Sequence, residues 1–521
     1  MTKPGEPLPD RFNFAQHLAD LNAARAAKAA YVDDTSSLTY GELARGARGV
    51  AAALLALGLR REERVLVCLY DSVDYPVTFL GALRAGVIPV CANTLLAADD
   101  YAYMLEHSRA QALIVSGALL PMLTQAMSRA AHEVRHVIVS KPASGLPPDA
   151  REFGGWALAS GELAASAATG PDSIAFWLYS SGSTGRPKGT VHTHGNLYWT
   201  AQTYGRHVLG LGERDVAFSA AKLFFAYGLG NSLTFPLSAG ATVLLMAERP
   251  TPASVFKRLT GHKPTVFFGV PTLYAALLAS PDLPVRGDVA LRLCVSAGEP
   301  LPKEIGERFA ARFGCDVLDG IGSTEMLHIF LSNRPGRVRY GTTGTPVDGY
   351  DVELRGEDGR GVGVGEIGDL YIRGPSAALM YWDNSAKTRS TFQGEWTRSG
   401  DKYVCDAEGF FTYAGRSDDM LKVGGQFVSP FEVEAALMRH DAVLEAAVVG
   451  KTEQGLTRTL AYVVLKPGRS GDAALAEALK AFVKDALAPH KYPREIRFIA
   501  ELPKTATGKI QRFKLREVAS R

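Results

Sequence analysis

The chain is expected to be an α/β protein: a large N-terminal domain of sheets layered with helices, a β-rich subdomain, and a small hinged α+β domain at the C-terminus. Three observations predict this. Short apolar runs alternate with helical patterns from Leu38 onward, the texture changes to glycine-punctuated strands after about Gly344, and a helix, two strands and a second helix follow Gly415. At 521 residues the chain exceeds one ordinary core. We expect an N-terminal domain over 1–415 and a mobile C-terminal domain over 416–521.

Each element has a local reason. Thr39 followed by Glu42 reads as a capping box for a helix with apolar positions at Leu43, Ala47, Val50, Leu54 and Leu57, and Gly58 stands as its stop. Buried strands are predicted over 65–69, 87–91, 112–115, 137–139, 174–179, 241–246, 265–268 and 291–295, with helical stretches between most of them. That alternation implies largely parallel sheets covered on both faces. The β-rich region is predicted from 350–355, 368–373 and 410–414. In the C-terminal domain, 430–439 and 472–488 read as helices and 444–450 and 459–465 as strands.

Composition bounds the function. Apolar residues make up 46% and charged residues 21%, as in a globular protein, and a net charge of +3 gives no electrostatic reason to bind nucleic acid or an anionic membrane. The five cysteines, Cys68, Cys91, Cys294, Cys315 and Cys405, show no CxxC spacing, which argues against a zinc site or disulfide framework and fits a reducing cytoplasm. The first ten residues lack the apolar core of a signal peptide, and no apolar segment is long enough to span a bilayer. Monomer and homodimer are both open.

The chemistry is concentrated in five segments. The stretch from Tyr179 to Gly189 follows a buried strand and combines Ser180, Ser181, Ser183 and Thr184 with Gly182, Gly185 and Gly189, Arg186 and Lys188. Glycines let the backbone approach phosphate oxygens, hydroxyls donate to them and the lysine supplies charge, yet the spacing is not that of a Walker A loop. Asp319 to Glu325 carries Thr324, a donor to phosphate, and Glu325, a carboxylate suited to Mg2+; by itself it could equally cap a helix. Asp401 ends Trp396–Asp401, where an acidic side chain can accept from ribose hydroxyls. Gly415 to Gly425 has the charge and glycine content of a hinge. Lys509 follows Gly508 on a loop near the C-terminus.

Taken together and in this order, the segments resemble the adenylate-forming acyl-CoA synthetase superfamily, over about Leu38 to Lys514. The resemblance implies that Ser180 to Lys188 hold the β,γ-phosphates of ATP, that Thr324 meets the α-phosphate, and that Glu325 ligates Mg2+. It also implies that Gly298, Glu299 and Pro300 line adenine with Asp319, Gly320 and Ile321, where many members have a tyrosine in place of Ile321. Asp401 and Arg416 would hold ribose or phosphate, Asp418 would be the hinge, Lys509 would bridge carboxylate and α-phosphate, and Gly424 and Gly425 would admit the pantetheine arm of coenzyme A. By the same resemblance the acyl pocket is built from Ala226, Tyr227, Gly322, His328 and Ile329. Gly322 replaces the tryptophan of acetate-using relatives, and Tyr227 offers a flat wall. The pattern is most similar to the benzoate-CoA ligase family and implies an AMP-forming ligase of benzoate or a lightly substituted benzoate. Hydroxy- and aminobenzoates, or loading of a carrier protein, are the alternatives.

Overall fold

A computed structural model describes residues 7–143, 145–180, 186–417, 419–423, 426–453, 456–487, 491–504 and 510–519. It divides into two compact units: one spans 1–352 and 372–399, the other 353–371 and 400–521.

In the larger unit the described residues form two extended sheets with parallel centres. One has eight strands and the other nine. In the eight-stranded sheet, Arg64–Cys68 lies between Ile88–Cys91 and Ala112–Ser116, and Ile174–Ser180 joins on the far side of Ile88–Cys91, all parallel. These strands read as continuous apolar runs because helices cover both faces. The helix Tyr40–Ala56 is one of these coverings. It begins with the predicted capping box, in which Thr39 accepts from the Glu42 backbone and Glu42 from the Thr39 backbone, and it is followed by Gly58 at φ +88°. At Gly81 helix packing is so close that a Cβ would lie 2.6 Å from Val50 Cγ1.

Parallel order stops where the chemistry begins. Ile174–Ser180 turns back on Lys188–Thr193 as an antiparallel pair, with Ser180 opposite Lys188, and Met380–Tyr381 adds beside Lys188–Thr193. In the nine-stranded sheet, Val266–Gly269, Leu293–Ala297 and Asp316–Gly322 run parallel, and Asp316–Gly322 then turns back on Ile329–Ser332. Two of the scattered cysteines become neighbours here: Cys294 Sγ and Cys315 Sγ are 3.8 Å apart, both as free thiols.

In the smaller unit, Asp401 to Cys405 pairs antiparallel with Phe411–Arg416. The long hairpin Val443–Glu453 and Leu456–Leu465 continues into parallel Glu495–Phe498, with helices Pro430–Met438 and Ala473–Ala486 supplying the other side of its core. Glu434 is buried there. Its carboxylate accepts from Arg512 Nη2 at 2.8 and 2.9 Å and from the Val448 backbone, which satisfies a charge that would otherwise be costly to bury.

Candidate active site

Residues 181–185 lie outside the described residues, so Ser181, Gly182, Ser183, Thr184 and Gly185 keep only their sequence assignment. Their flanks are well defined. Ser180 ends its strand with a buried hydroxyl that has no hydrogen-bond partner among the described residues. Lys188 stands directly across the hairpin, and its ammonium lies 4.4 Å from the centre of the Tyr381 ring and 3.9 Å from Glu325 Oε1. The Tyr381 hydroxyl donates to the same Glu325 oxygen at 2.6 Å. A buried donor without a partner beside a cation suits an anionic ligand, because leaving such a group unsatisfied costs free energy.

Glu325 reaches this group through a turn rather than a helix. Thr324 to His328 connects the antiparallel strands Asp316–Gly322 and Ile329–Ser332, Leu327 sits at φ +63°, and the Met326 backbone donates to Ser323 Oγ. The turn is held from below by His192, whose Nε2 is 2.7 Å from the Thr324 carbonyl oxygen and whose Nδ1 is 3.0 Å from Asn196 Oδ1. Burial lowers the His192 pKa, while the Asn196 side chain and the Thr324 carbonyl that face its ring nitrogens act the other way. Among the described residues no three His, Cys, Asp or Glu side chains group to hold a metal unaided. A divalent ion at Glu325 would therefore take its other ligands from phosphate and water, the mode Mg2+ prefers.

The segments expected to line adenine meet at the C-terminal ends of adjacent parallel strands, where open α/β sheets bind ligands. Ser296 pairs with Asp319 and Ala297 with Gly320, which brings Gly298, Glu299 and Pro300 beside Ile321. Gly298 takes φ +93°, a conformation that glycine adopts without strain. Asp319 is buried, its Oδ1 meets no hydrogen-bond partner among the described residues, and burial raises its pKa well above the carboxylate range.

The residues expected at the acyl pocket also come together. The Tyr227 hydroxyl lies 3.2 Å from the Gly269 carbonyl oxygen and 3.1 Å from that of Val295, within donating reach of both, which pins the ring against two central strands. Its ring is 5.6 Å from His328, and Tyr204 and Phe235 approach His328 at 5.5 and 4.4 Å. Burial drives the His328 pKa down to about 3, so the imidazole is neutral, and Nδ1 has no hydrogen-bond partner among the described residues. Gly322 is exposed and pairs with Ile329. A Cβ at Gly322 would lie 2.5 Å from the His328 carbonyl oxygen, so close backbone approach requires glycine there in addition to the space it leaves. Ala226 begins the helix that carries Tyr227.

In the smaller unit, Asp401 lies opposite Arg416 and accepts from its Nη1 at 3.0 Å. Asp418, Gly424, Gly425 and Lys509 lie outside the described residues.

Several contributors escaped sequence reasoning. Tyr381, His192, Tyr204 and Phe235 lie on segments far in sequence from the motifs they touch. Gly230, directly after the Ala226–Leu229 helix, has a steric role: a Cβ there would fall 2.2 Å from His328 Cδ2. A signal was available in the glycine spacing of Gly228 and Gly230, which is unusual inside a helix.

Parallel sheets that end in the Ser180 hydroxyl and the Lys188 cation, with the Glu325 carboxylate on the facing turn, fit an adenylate-forming enzyme. The chain belongs to the AMP-binding enzyme family, whose profile matches residues 19–382, and the AMP-binding enzyme C-terminal domain matches residues 432–509. It is 56% identical over 99% of its length to a benzoate–CoA ligase of Thauera aromatica, covering 98% of that protein. It is 48% identical to a 4-hydroxybenzoate–CoA/benzoate–CoA ligase of Rhodopseudomonas palustris, over 98% of this chain and 95% of that one. Among solved structures, a benzoate CoA ligase from Burkholderia xenovorans LB400 superposes with a TM-score of 0.91 at 62% identity, covering 97% of this chain and 100% of that one.

Proposed function

We infer that the protein is an AMP-forming acid–thiol ligase that converts benzoate to benzoyl-CoA with ATP and Mg2+. The observation that carries this reading is near-complete likeness, at 56% and 62% identity, to two benzoate–CoA ligases. The geometry is consistent with it, because a flat aromatic wall at Tyr227 and a cation–carboxylate group at Lys188 and Glu325 are what a planar acid and a polyphosphate require.

The chemistry explains why both are needed. A carboxylate resists thiol attack because it is already anionic and has no good leaving group. In the first step a carboxylate oxygen attacks the α-phosphorus of ATP, pyrophosphate leaves, and a mixed anhydride forms. Lys188 and the Ser180 hydroxyl face the phosphates, with Ser181, Gly182, Ser183, Thr184 and Gly185 completing the cradle, and Thr324 meets the α-phosphate. Bound Mg2+ supplies charge neutralisation at the phosphates, and Glu325, oriented by Tyr381, is the side chain placed to hold it. Gly298, Glu299, Pro300, Asp319, Gly320 and Ile321 line adenine, and Asp401 and Arg416 serve the ribose. Lys509 offsets the repulsion between carboxylate and α-phosphate. In the second step the thiolate of coenzyme A attacks the carbonyl carbon and AMP leaves, with Gly424 and Gly425 admitting the pantetheine arm and Asp418 acting as hinge. Ala226, Tyr227, Gly322, His328 and Ile329 enclose the ring. No helix among the described residues is long and apolar enough to cross a membrane, and we place the enzyme in the cytoplasm.

One observation favours a second substrate. His328 Nδ1 is buried, neutral and without a partner among the described residues, so it can accept from a hydroxyl on the ring. A hydroxybenzoate is therefore the second reading.

The test is a pyrophosphate-exchange panel over benzoate, hydroxybenzoates, aminobenzoates, acetate and a fatty acid, followed by addition of coenzyme A. Benzoate is expected to give the highest kcat/KM, with release of AMP. Better turnover of acetate or the fatty acid than of every aryl acid overturns the assignment. Lys509→Ala should abolish exchange yet largely spare thioester formation from supplied benzoyl-AMP.

A further inference from the structure

The helix Ala98–Ser108 carries no motif residue, yet one face of it touches both ends of the phosphate-binding segment. Tyr103 and His107 are four residues apart and so share a face. Their rings stack at 5.1 Å with 24° between planes. His107 Nδ1 lies 2.9 Å from the Tyr179 hydroxyl, on the strand entering the segment. On the chain leaving it, the Arg186 guanidinium sits 5.1 Å from the centre of the Tyr103 ring.

The same face reaches the other side of the site. A Cβ at Gly189 would stand 3.5 Å from His107 Cε1 and 3.5 Å from Trp382 Cβ, so the helix, the hairpin and Trp382 are in mutual contact. The Trp382 backbone donates to the Gly189 carbonyl at 2.7 Å, and its ring packs on Trp177 at 4.6 Å. Trp382 directly follows Tyr381, the residue that touches both Lys188 and Glu325. Burial lowers the His107 pKa, with the Trp382 backbone and the Asp383 carboxylate acting the other way.

We propose that Tyr103 and His107 are positioning residues for the triphosphate site, fixing the entering strand through Tyr179, the leaving chain through Arg186, and the Tyr381 segment through Trp382. A neutral His107 accepts at Nδ1 from the Tyr179 hydroxyl, which fixes the strand end next to Ser180. The inference rests on the adenylation reading above, since it assigns the helix a task in the use of ATP.

The experiment compares His107→Phe, Tyr179→Phe and the double variant with wild type, in benzoate-dependent pyrophosphate exchange and in thioester formation from supplied benzoyl-AMP. Each single change removes the same hydrogen bond and keeps a ring, so the KM for ATP should rise ~5–10-fold, as loss of ~1 kcal/mol implies. The KM for benzoate and the thioester half-reaction should stay within about twofold of wild type, and the double variant should be no worse than the poorer single one. His107→Asn, which restores an acceptor near the Nδ1 position, should recover part of the loss. An unchanged KM for ATP overturns the proposal, as does an equal fall in both half-reactions. If His107→Phe does not fold, Tyr179→Phe decides alone, because it removes one oxygen. If wild type shows no exchange with any aryl acid, the functional reading fails, and calorimetric titration of the same variants with ATP and Mg2+ still judges the helix: unaltered affinity sinks the proposal.

Discussion

Tyr381 shows how one side chain can join two motifs. Its ring lies under the Lys188 ammonium, and its hydroxyl holds Glu325 Oε1 at 2.6 Å. Without that hydroxyl the carboxylate loses an orienting donor while the cation keeps its aromatic neighbour. Tyr381→Phe should therefore raise the Mg2+ concentration needed for half-maximal exchange by ~10-fold, in line with ~1.5 kcal/mol for a hydrogen bond to a charged group. A magnesium titration of pyrophosphate exchange at saturating ATP measures it, and an unshifted curve would show that Glu325 is oriented without Tyr381. Lys188 and Glu325 were both legible as members of motifs. Tyr381 was not, because its only relation to them is spatial: Met380–Tyr381 becomes a neighbour of Lys188–Thr193 by antiparallel pairing across almost two hundred residues.

At the scale of elements, the helix Tyr40–Ala56 was readable almost to the residue, because its start is a local chemical device. Thr39 and Glu42 satisfy each other's backbone donors, and Gly58 adopts a backbone that other residues take up with strain. Thr39→Ala should lower the stability of the larger unit by ~1 kcal/mol and leave the KM values for ATP and benzoate unaltered. A urea midpoint for that unit checks the first claim and steady-state kinetics the second. Two other elements were not readable. Ala201–Arg206 and Gly230–Thr234 are π-helical, a form that often marks functional sites, and they bear or adjoin Tyr204 and Phe235, which pack around His328. Sequence periodicity does not separate a wider helical turn from an ordinary one. The expected strand at 241–246 was also too long: it pairs only over Thr242–Leu244, where Val216–Ser219 and Ala29–Val32 flank it. An apolar run reports burial, whereas strand length depends on its neighbours.

Across the whole larger unit, buried histidines set the response to acid. His194 and His328 are both held at about 3, chiefly by burial, against an ordinary value of 6.5. The unfolded chain takes up their protons below 6.5 while the folded chain does not. Their contribution to stability is therefore complete above that pH and declines as pH falls toward 3, by ~1.4 kcal/mol per pH unit for each. Burial lowers His17, His107 and His192 as well, which adds to the decline. Asp71 opposes it. Burial raises its carboxyl from 3.8 to about 6, so the folded form gains a proton before the unfolded chain does, and stability rises as pH falls between those values. Asp74 and Asp319 are raised in the same sense. Histidines outnumber these carboxyls, so the larger unit should lose stability between about pH 6.5 and pH 5. Urea midpoints measured across that interval test this, and His328→Phe should flatten the slope. A midpoint that rose on acidification would contradict it.

The amino-acid sequence alone determined the class of fold, the order of most strands and helices, and the segments that the proposed function assigns to phosphate, Mg2+ and the acyl group. Those features depend on local periodicity, caps and short motifs, in which the interacting groups are neighbours along the chain. Tertiary structure decided what needs distant segments to meet: Tyr381 against Lys188 and Glu325, His192 beneath Thr324, Gly230 against His328, and Cys294 beside Cys315. The physical reason is that such contacts are set by strand order and close packing in two sheets, and neither leaves a repeating pattern in the chain.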